Sequence, residues 1–229
     1  MAAATAMILA AGRGARMRPL SDTTPKPLLT VAGKPLIAYH LENLARAGHR
    51  EVVINCAHLA EQFPAVLGDG SAYGLHIHYS VEPEGGLETA GGIIRALPLL
   101  DPQQFVVVNG DVYCDLELAQ LPALAGHLAQ LVLVENPPQH PQGDFSIENG
   151  TLVAANEQRA SYTFAGIARY ATRFFADYRA GTEAFVPLRP LFDAQLNAGT
   201  IAATVWPGRW TDVGTPERLQ NLDEELSAT

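Results

Sequence analysis

The chain has 229 residues, 48% of them hydrophobic and 17% charged, which is enough to bury a core without staples and excludes a disordered or fibrous protein. A net charge of −9 argues against a broad nucleic-acid surface, and no apolar run approaches membrane-spanning length. Cys56 and Cys114 form no CxxC pair and read as reduced thiols, and the start lacks the basic segment of a signal peptide, so a cytoplasmic protein is expected.

Taken in chain order, the apolar segments alternate between two periods. Ala6 to Ala11 is a short apolar run ending at Gly12, as in a buried strand. Pro35 opens a helix in which Ile37, Leu41 and Leu44 share a face, and Gly48 stops it. Glu51 to Asn55 is a strand. Leu59 to Leu67 reads as a short helix limited by Pro64. Leu75, Ile77 and Tyr79 alternate with His76 and His78, a half-buried strand whose histidines suit a polar face better than a zinc site. Thr89 to Leu97 is helical, and Phe105 to Val108 and Leu131 to Val134 are strands covered on both faces.

Beyond residue 135 the pattern changes. Asn149-Gly150 between Phe145–Ile147 and Leu152–Val153 is a hairpin signal. Tyr162 to Tyr170 and Ile201 to Trp206 read as strands, and Pro190 to Asn197 as a helix stopped by Gly199. Thr215 caps a last helix with Pro216 in its first turn. The βαβαβ rhythm predicts an α/β fold: a Rossmann-like three-layer α/β/α sandwich around a mostly parallel sheet, in a single domain spanning 1–229.

Between Arg13 and Lys34 lie five cations and one anion, Asp22. A concentrated basic segment in an acidic chain suits a small polyanionic ligand, although a solvated basic loop has the same composition. The segment begins Leu9-Ala-Ala-Gly-Arg-Gly-Ala-Arg-Met-Arg-Pro-Leu20, where the first strand runs into Gly12 and Gly14. Glycines there let backbone N–H groups approach a phosphate. The dinucleotide fingerprint fails because Met17 stands where its third glycine belongs, and no Gly-Lys-Ser/Thr phosphate loop occurs. Lys26 sits between Pro25 and Pro27, which restrict its backbone. Val108-Asn-Gly-Asp111 delivers a carboxylate at a strand end, where open α/β sheets place ligands, although strand-end aspartates are also common turn formers.

These segments, with Val31-Ala-Gly-Lys-Pro-Leu-Ile37, resemble the signature of the sugar-phosphate nucleotidyltransferases, and the likeness runs from Ala6 to about Leu222. It implies the nucleotide-diphospho-sugar transferase fold, with about 1–135 taking the nucleotide and about 136–229, containing the hairpin, taking the sugar. By resemblance Ala10, Ala11, Gly12 and Gly14 hold the nucleotide, Arg16 the triphosphate, and Lys26 lies near the α-phosphate. Asp111 and, in Trp210-Thr-Asp-Val-Gly-Thr215, Asp212 would hold Mg²⁺. Leu87, Thr89, Ala90 and Gly91 correspond to the segment that packs on base and ribose, with Glu88 where relatives carry a glycine. Asn109, Gly143, Asp144 and Gly166 fall to the sugar. The Leu87-Glu-Thr-Ala-Gly-Gly92 version, with Gly143-Asp-Phe145 and Tyr162-Thr-Phe-Ala-Gly-Ile167, resembles the N-acetylmuramate-1-phosphate uridylyltransferase branch of cell-wall recycling.

One departure is that many relatives carry Glu-Lys-Pro, with a lysine on the sugar phosphate, where this chain has Glu157-Gln-Arg159. The expected partners are a nucleoside triphosphate and a sugar 1-phosphate, with no nucleic acid and no membrane, and a monomer or weak homo-oligomer. Mannose-1-phosphate guanylyl transfer, glucose-1-phosphate nucleotidyl transfer and a non-catalytic nucleotide-sensing role remain as alternatives. No hexapeptide repeat is present, so no attached acyltransferase β-helix is expected.

Overall fold

The structure is a computed structural model describing residues 5–156 and 158–228. The readings for residues 1–4 and for Glu157 lie outside it. In chain order the strands are β1 (Ala6–Leu9), β2 (Thr30–Val31), β3 (Lys34–Pro35), β4 (Glu51–Cys56), β5 (His76–Val81), β6 (Gln104–Asn109), β7 (Val112–Cys114), β8 (Ala129–Val134), β9 (Phe145–Glu148), β10 (Thr151–Ala154), β11 (Ser161–Ala171), β12 (Ile201–Val205) and β13 (Trp210–Asp212). The α-helices are α1 (Leu36–Arg46), α2 (Gln62–Leu67), α3 (Glu88–Ala96), α4 (Arg189–Gln195) and α5 (Pro216–Ser227).

Strand alternation sorts the core into two faces. Ala6 and Ile8 of β1 and Val106 and Val108 of β6 point to one side, against Ile37, Leu41 and Leu44 of α1 and Phe63 and Leu67 of α2. Met7, Phe105 and Val107 point to the other, against Ala90, Ile93 and Ile94 of α3 and Phe192 of α4. The result is the expected three-layer α/β/α sandwich. Helix α5 adds a small satellite, Leu222 packing with Val31, Leu36 and Val213.

Among the described residues the central sheet has the order β5-β4-β1-β6-β11-β8-β12-β10-β9. Its parallel pairs are β5–β4, β4–β1, β1–β6 and β8–β12. Strand β11 enters antiparallel between β6 and β8, and the β9–β10 hairpin closes the far edge. Parallel neighbours need a crossover of a dozen or more residues, usually a helix. The stretch between β8 and β11 holds a hairpin instead, so the parallel grain stops at β6 and resumes only at β8–β12. The hairpin turns at Asn149 (φ 52°) and Gly150 (φ 80°), the left-handed pair of a two-residue turn.

Helix α2 begins at Gln62 rather than Leu59, which has φ 51°. Pro64 is its third residue, where no intrahelical N–H bond is lost, so the proline does not limit the helix.

Candidate active site

The carboxyl ends of β1, β4 and β6 open into a cleft of about 450 Å³ lined by Ala10, Ala11, Gly12, Gly14, Arg16, Lys26, Leu87, Thr89, Asn109 and Asp111, among others. The glycine loop is braced from behind. Met17 N–H and the Ser21 hydroxyl both donate to the Gly14 carbonyl, at 2.8 Å each. A Cβ on Gly14 would stand 3.3 Å from the Lys26 Cβ, so the loop and the Pro25-Lys26-Pro27 turn pack as one wall. Arg16 projects from this wall, exposed, and also lines a second cleft described below.

Lys26 is 6% exposed, with its ammonium at the centre of the site. Nζ donates to Asp111 Oδ2 at 2.7 Å and lies 3.9 Å from Asp212 Oδ1. The other Asp212 oxygen accepts from Arg218 Nη1 at 2.8 Å. Two aspartates 101 positions apart therefore share one lysine.

The device that joins them is a two-stranded ribbon. Strand β7 follows Asp111, β13 ends at Asp212, and the two pair antiparallel with Asp212 opposite Val112. Val213 N–H donates to the Asp111 carbonyl at 3.0 Å. His40 of α1 holds the ribbon from below, its Nε2 at 2.8 Å from the Val112 carbonyl. Desolvation lowers the His40 pKa to about 4, against the opposing pull of that carbonyl and Asp111, so the ring is neutral and donates from Nε2. Two carboxylates with a cation already between them offer oxygen donors to a hard divalent ion, so the donor set fits Mg²⁺.

Two buried residues that sequence reasoning passed over tie the cleft walls together. Asn55, at the end of β4, accepts from Ala10 N–H through Oδ1 at 2.9 Å. Its Nδ2 therefore faces Glu82 and donates to Oε1 at 2.6 Å, while Leu87 N–H donates to Glu82 Oε2 at 2.9 Å. Burial raises the Glu82 pKa, and the Asn55 and Leu87 hydrogen bonds pull it back. Both oxygens face donors, so an amide cannot replace the carboxylate without opposing one N–H to another. Glu82→Gln is expected to lose about 1–3 kcal/mol of stability by chemical denaturation and to raise KM for the nucleotide more than it lowers kcat. Unchanged stability and KM would remove the tie. Asn55 was read only as a strand end, and Glu82, just beyond the alternating strand, carried no sign of its partner.

Glu88 occupies the position where a glycine was expected by resemblance, and its φ of 63° explains the glycine. A left-handed backbone costs a side-chain-bearing residue about 1–3 kcal/mol, strain that clusters at functional sites. Ala90 and Gly91 do not line the cleft. Ala90 is buried against the core, and Gly91 N–H donates to the Val186 carbonyl at 3.0 Å, with Ala184 O where a Cβ would go. Gly91 thereby holds the segment around Ala184 and Val186 behind the wall.

The second cleft, of about 300 Å³, shares Arg16, Asn109 and Asp111 with the first and extends to Asp144, Gly166 and Asp212. Sequence reasoning missed His140, Thr163 and Trp210 on its walls. Gly166 has φ 74° and lies in the β11 irregularity between Phe164 and Ala168, where a Cβ would stand 2.6 Å from Asn109 Nδ2. The irregularity turns the Ala165 carbonyl to Trp210 Nε1, 2.9 Å away. Asp144 anchors its loop, with Oδ2 accepting from Phe164 N–H at 2.8 Å and Oδ1 lying 3.1 Å from His140 Nε2. Gly143 is not on the cleft surface; its Cβ position is taken by Asn136. Arg159 is engaged with both Glu148 carboxylate oxygens at 3.1 Å and lines neither cleft.

Comparison with known proteins shows the family and the fold. The nucleotidyl transferase family profile matches residues 5–228. An N-acetylmuramate alpha-1-phosphate uridylyltransferase of Neisseria meningitidis serogroup B is 50% identical over 221 residues, covering 94% of this chain and 95% of its own. A protein of the same name from Caulobacter vibrioides is 32% identical, over 97% and 96%. In fold, the inositol-1-phosphate CTP transferase of T. maritima superposes with TM-score 0.80 at 18% identity, over 100% of this chain and 96% of its own.

Proposed function

The chain belongs to the nucleotidyl transferase family, and from that premise we propose that it moves a uridylyl group from UTP to N-acetylmuramate 1-phosphate, yielding UDP-N-acetylmuramate and pyrophosphate. The observation that carries this reading is the meeting of two clefts at Lys26, Asp111 and Asp212, with Arg16 on both. One cleft takes the triphosphate, the other the sugar phosphate, and the junction is where the new bond forms. Residues about 1–135 serve mainly the nucleotide, and about 136–229 supply most of the sugar cleft. The Neisseria and Caulobacter relatives support the choice of base and sugar.

A sugar phosphate is largely a dianion at neutral pH, since its second pKa is about 6, so its oxygen attacks without a general base. The obstacle is repulsion between two polyanions. Catalysis is therefore orientation plus charge neutralisation. Lys26 sets its ammonium against the α-phosphate, and Arg16 and the glycine-loop N–H groups receive the leaving pyrophosphate. Asn109 and Asp144 orient the sugar. Asp111 and Asp212 would hold Mg²⁺, which when bound supplies Lewis-acid neutralisation of phosphate oxygens. In-line attack inverts the α-phosphorus.

The test is a pyrophosphate-release panel crossing UTP, GTP, dTTP and CTP with N-acetylmuramate, N-acetylglucosamine, mannose and glucose 1-phosphates. Turnover is expected with UTP and N-acetylmuramate 1-phosphate in Mg²⁺, and none in excess EDTA. Preference for GTP with mannose 1-phosphate, or EDTA-resistant turnover, would overturn the assignment of substrate or of metal.

A further inference from the structure

The strands that deliver the active-site residues at their carboxyl ends carry a second cluster at their amino ends. Glu51 opens β4 and His76 opens β5, and the two are register partners. His78, two residues on, points to the same face. Glu51 Oε2 lies 2.9 Å from His76 Nδ1 and 2.6 Å from His78 Nε2, and the three donor atoms lie within 4.8 Å of one another. The imidazole centroids are 4.6 Å apart. His78 and Glu51 are mostly covered, while the His76 side chain is half exposed, so the cluster has a built floor and an open entrance. Nothing in the transfer chemistry uses it.

We propose that Glu51, His76 and His78 form a binding site for a divalent transition metal such as Zn²⁺, separate from the Asp111–Asp212 site. Two imidazole nitrogens and one carboxylate oxygen are the donors that favour Zn²⁺, Ni²⁺ or Co²⁺ over Mg²⁺, which prefers oxygen throughout. A metal about 2.0–2.2 Å from each donor asks the carboxylate to draw back and the half-exposed His76 ring to swing in, each by about 1 Å, through side-chain torsions that leave the strands in place. The ion would displace the protons that now bridge the rings to Glu51, and the open side leaves a position for water. Because β5 is the sheet edge, the metal would clamp that edge to β4.

The test is calorimetric titration of the chain with Zn²⁺ under saturating Mg²⁺, repeated on His76→Ala, His78→Ala and Glu51→Gln. Wild type is expected to bind one Zn²⁺ that Mg²⁺ does not displace, with thermal stabilisation at saturation. Each variant is expected to bind it more than about tenfold more weakly, as loss of a ligand should exceed loss of a supporting residue. Mg²⁺-dependent turnover is expected to be unchanged in all three, which also checks that they fold. Co²⁺ should give visible d–d absorption that the variants lack. Absence of Zn²⁺ binding by wild type, displacement by Mg²⁺, or equal affinity in His76→Ala, whose side chain is half exposed and can be removed without harm to the core, would overturn the proposal.

Discussion

Lys26→Ala is expected to lower kcat on the order of a hundredfold or more, as loss of a preorganised electrostatic group does. The side chain is nearly buried, and its charge lies between two carboxylates rather than in solvent, where screening would blunt it. Its removal leaves Asp111 and Asp212 without their shared cation. The affinity of the pair for a divalent ion is then expected to hold or rise, so the deficit appears in kcat and cannot be titrated away with Mg²⁺. Lys26→Arg is not expected to rescue, because a planar guanidinium is a poor fit to a slot formed by the glycine loop and two prolines. Steady-state pyrophosphate release at saturating Mg²⁺, with a melting curve to verify folding, makes the measurement. Near-normal turnover in the folded variant would remove Lys26 from the chemistry.

Asp111→Ala is expected to fall by a similar factor for the opposite reason. The carboxylate is half exposed at the junction of both clefts, and the ribbon beside it is held by backbone bonds that the substitution leaves intact. Folding should survive. Asp212 remains, fixed by Arg218, so one half of the proposed metal site persists. The Mg²⁺ dependence should therefore move to higher concentration, and part of the loss should return there. This is the behaviour the Lys26 variant must not show. Identical Mg²⁺ curves for wild type and Asp111→Ala would refute the metal role.

What was legible in the chain was local. Continuous apolar runs such as Phe105 to Val108 announced buried strands, the Asn149-Gly150 pair announced its turn, and Thr215 capped α5 through Arg218 N–H as its position suggested. What was not legible was long-range. Nothing in Ser161–Ala171 says that it will lie antiparallel between β6 and β8, because that depends on the intervening stretch holding a hairpin, with no helix among its described residues. The ribbon of β7 and β13 is three residues per strand, too short for a periodic signal. Asn55 read only as the last residue of a strand and Glu82 drew no reading at all; their meaning lies in facing each other. Ala90 and Gly91 show the converse case, motif residues that lie off the cleft surface, one in the core and one against Val186.

The three-residue ribbon also sets an order of events. An emerging polypeptide presents Asp111 101 residues ahead of Asp212, and N-terminal portions generally begin folding first. A nascent intermediate can thus possess the glycine loop, Lys26 and a single acidic anchor while lacking its complement. Convergence of the two carboxylates therefore waits on the docking of β13 against β7, after the loop and lysine have already been made.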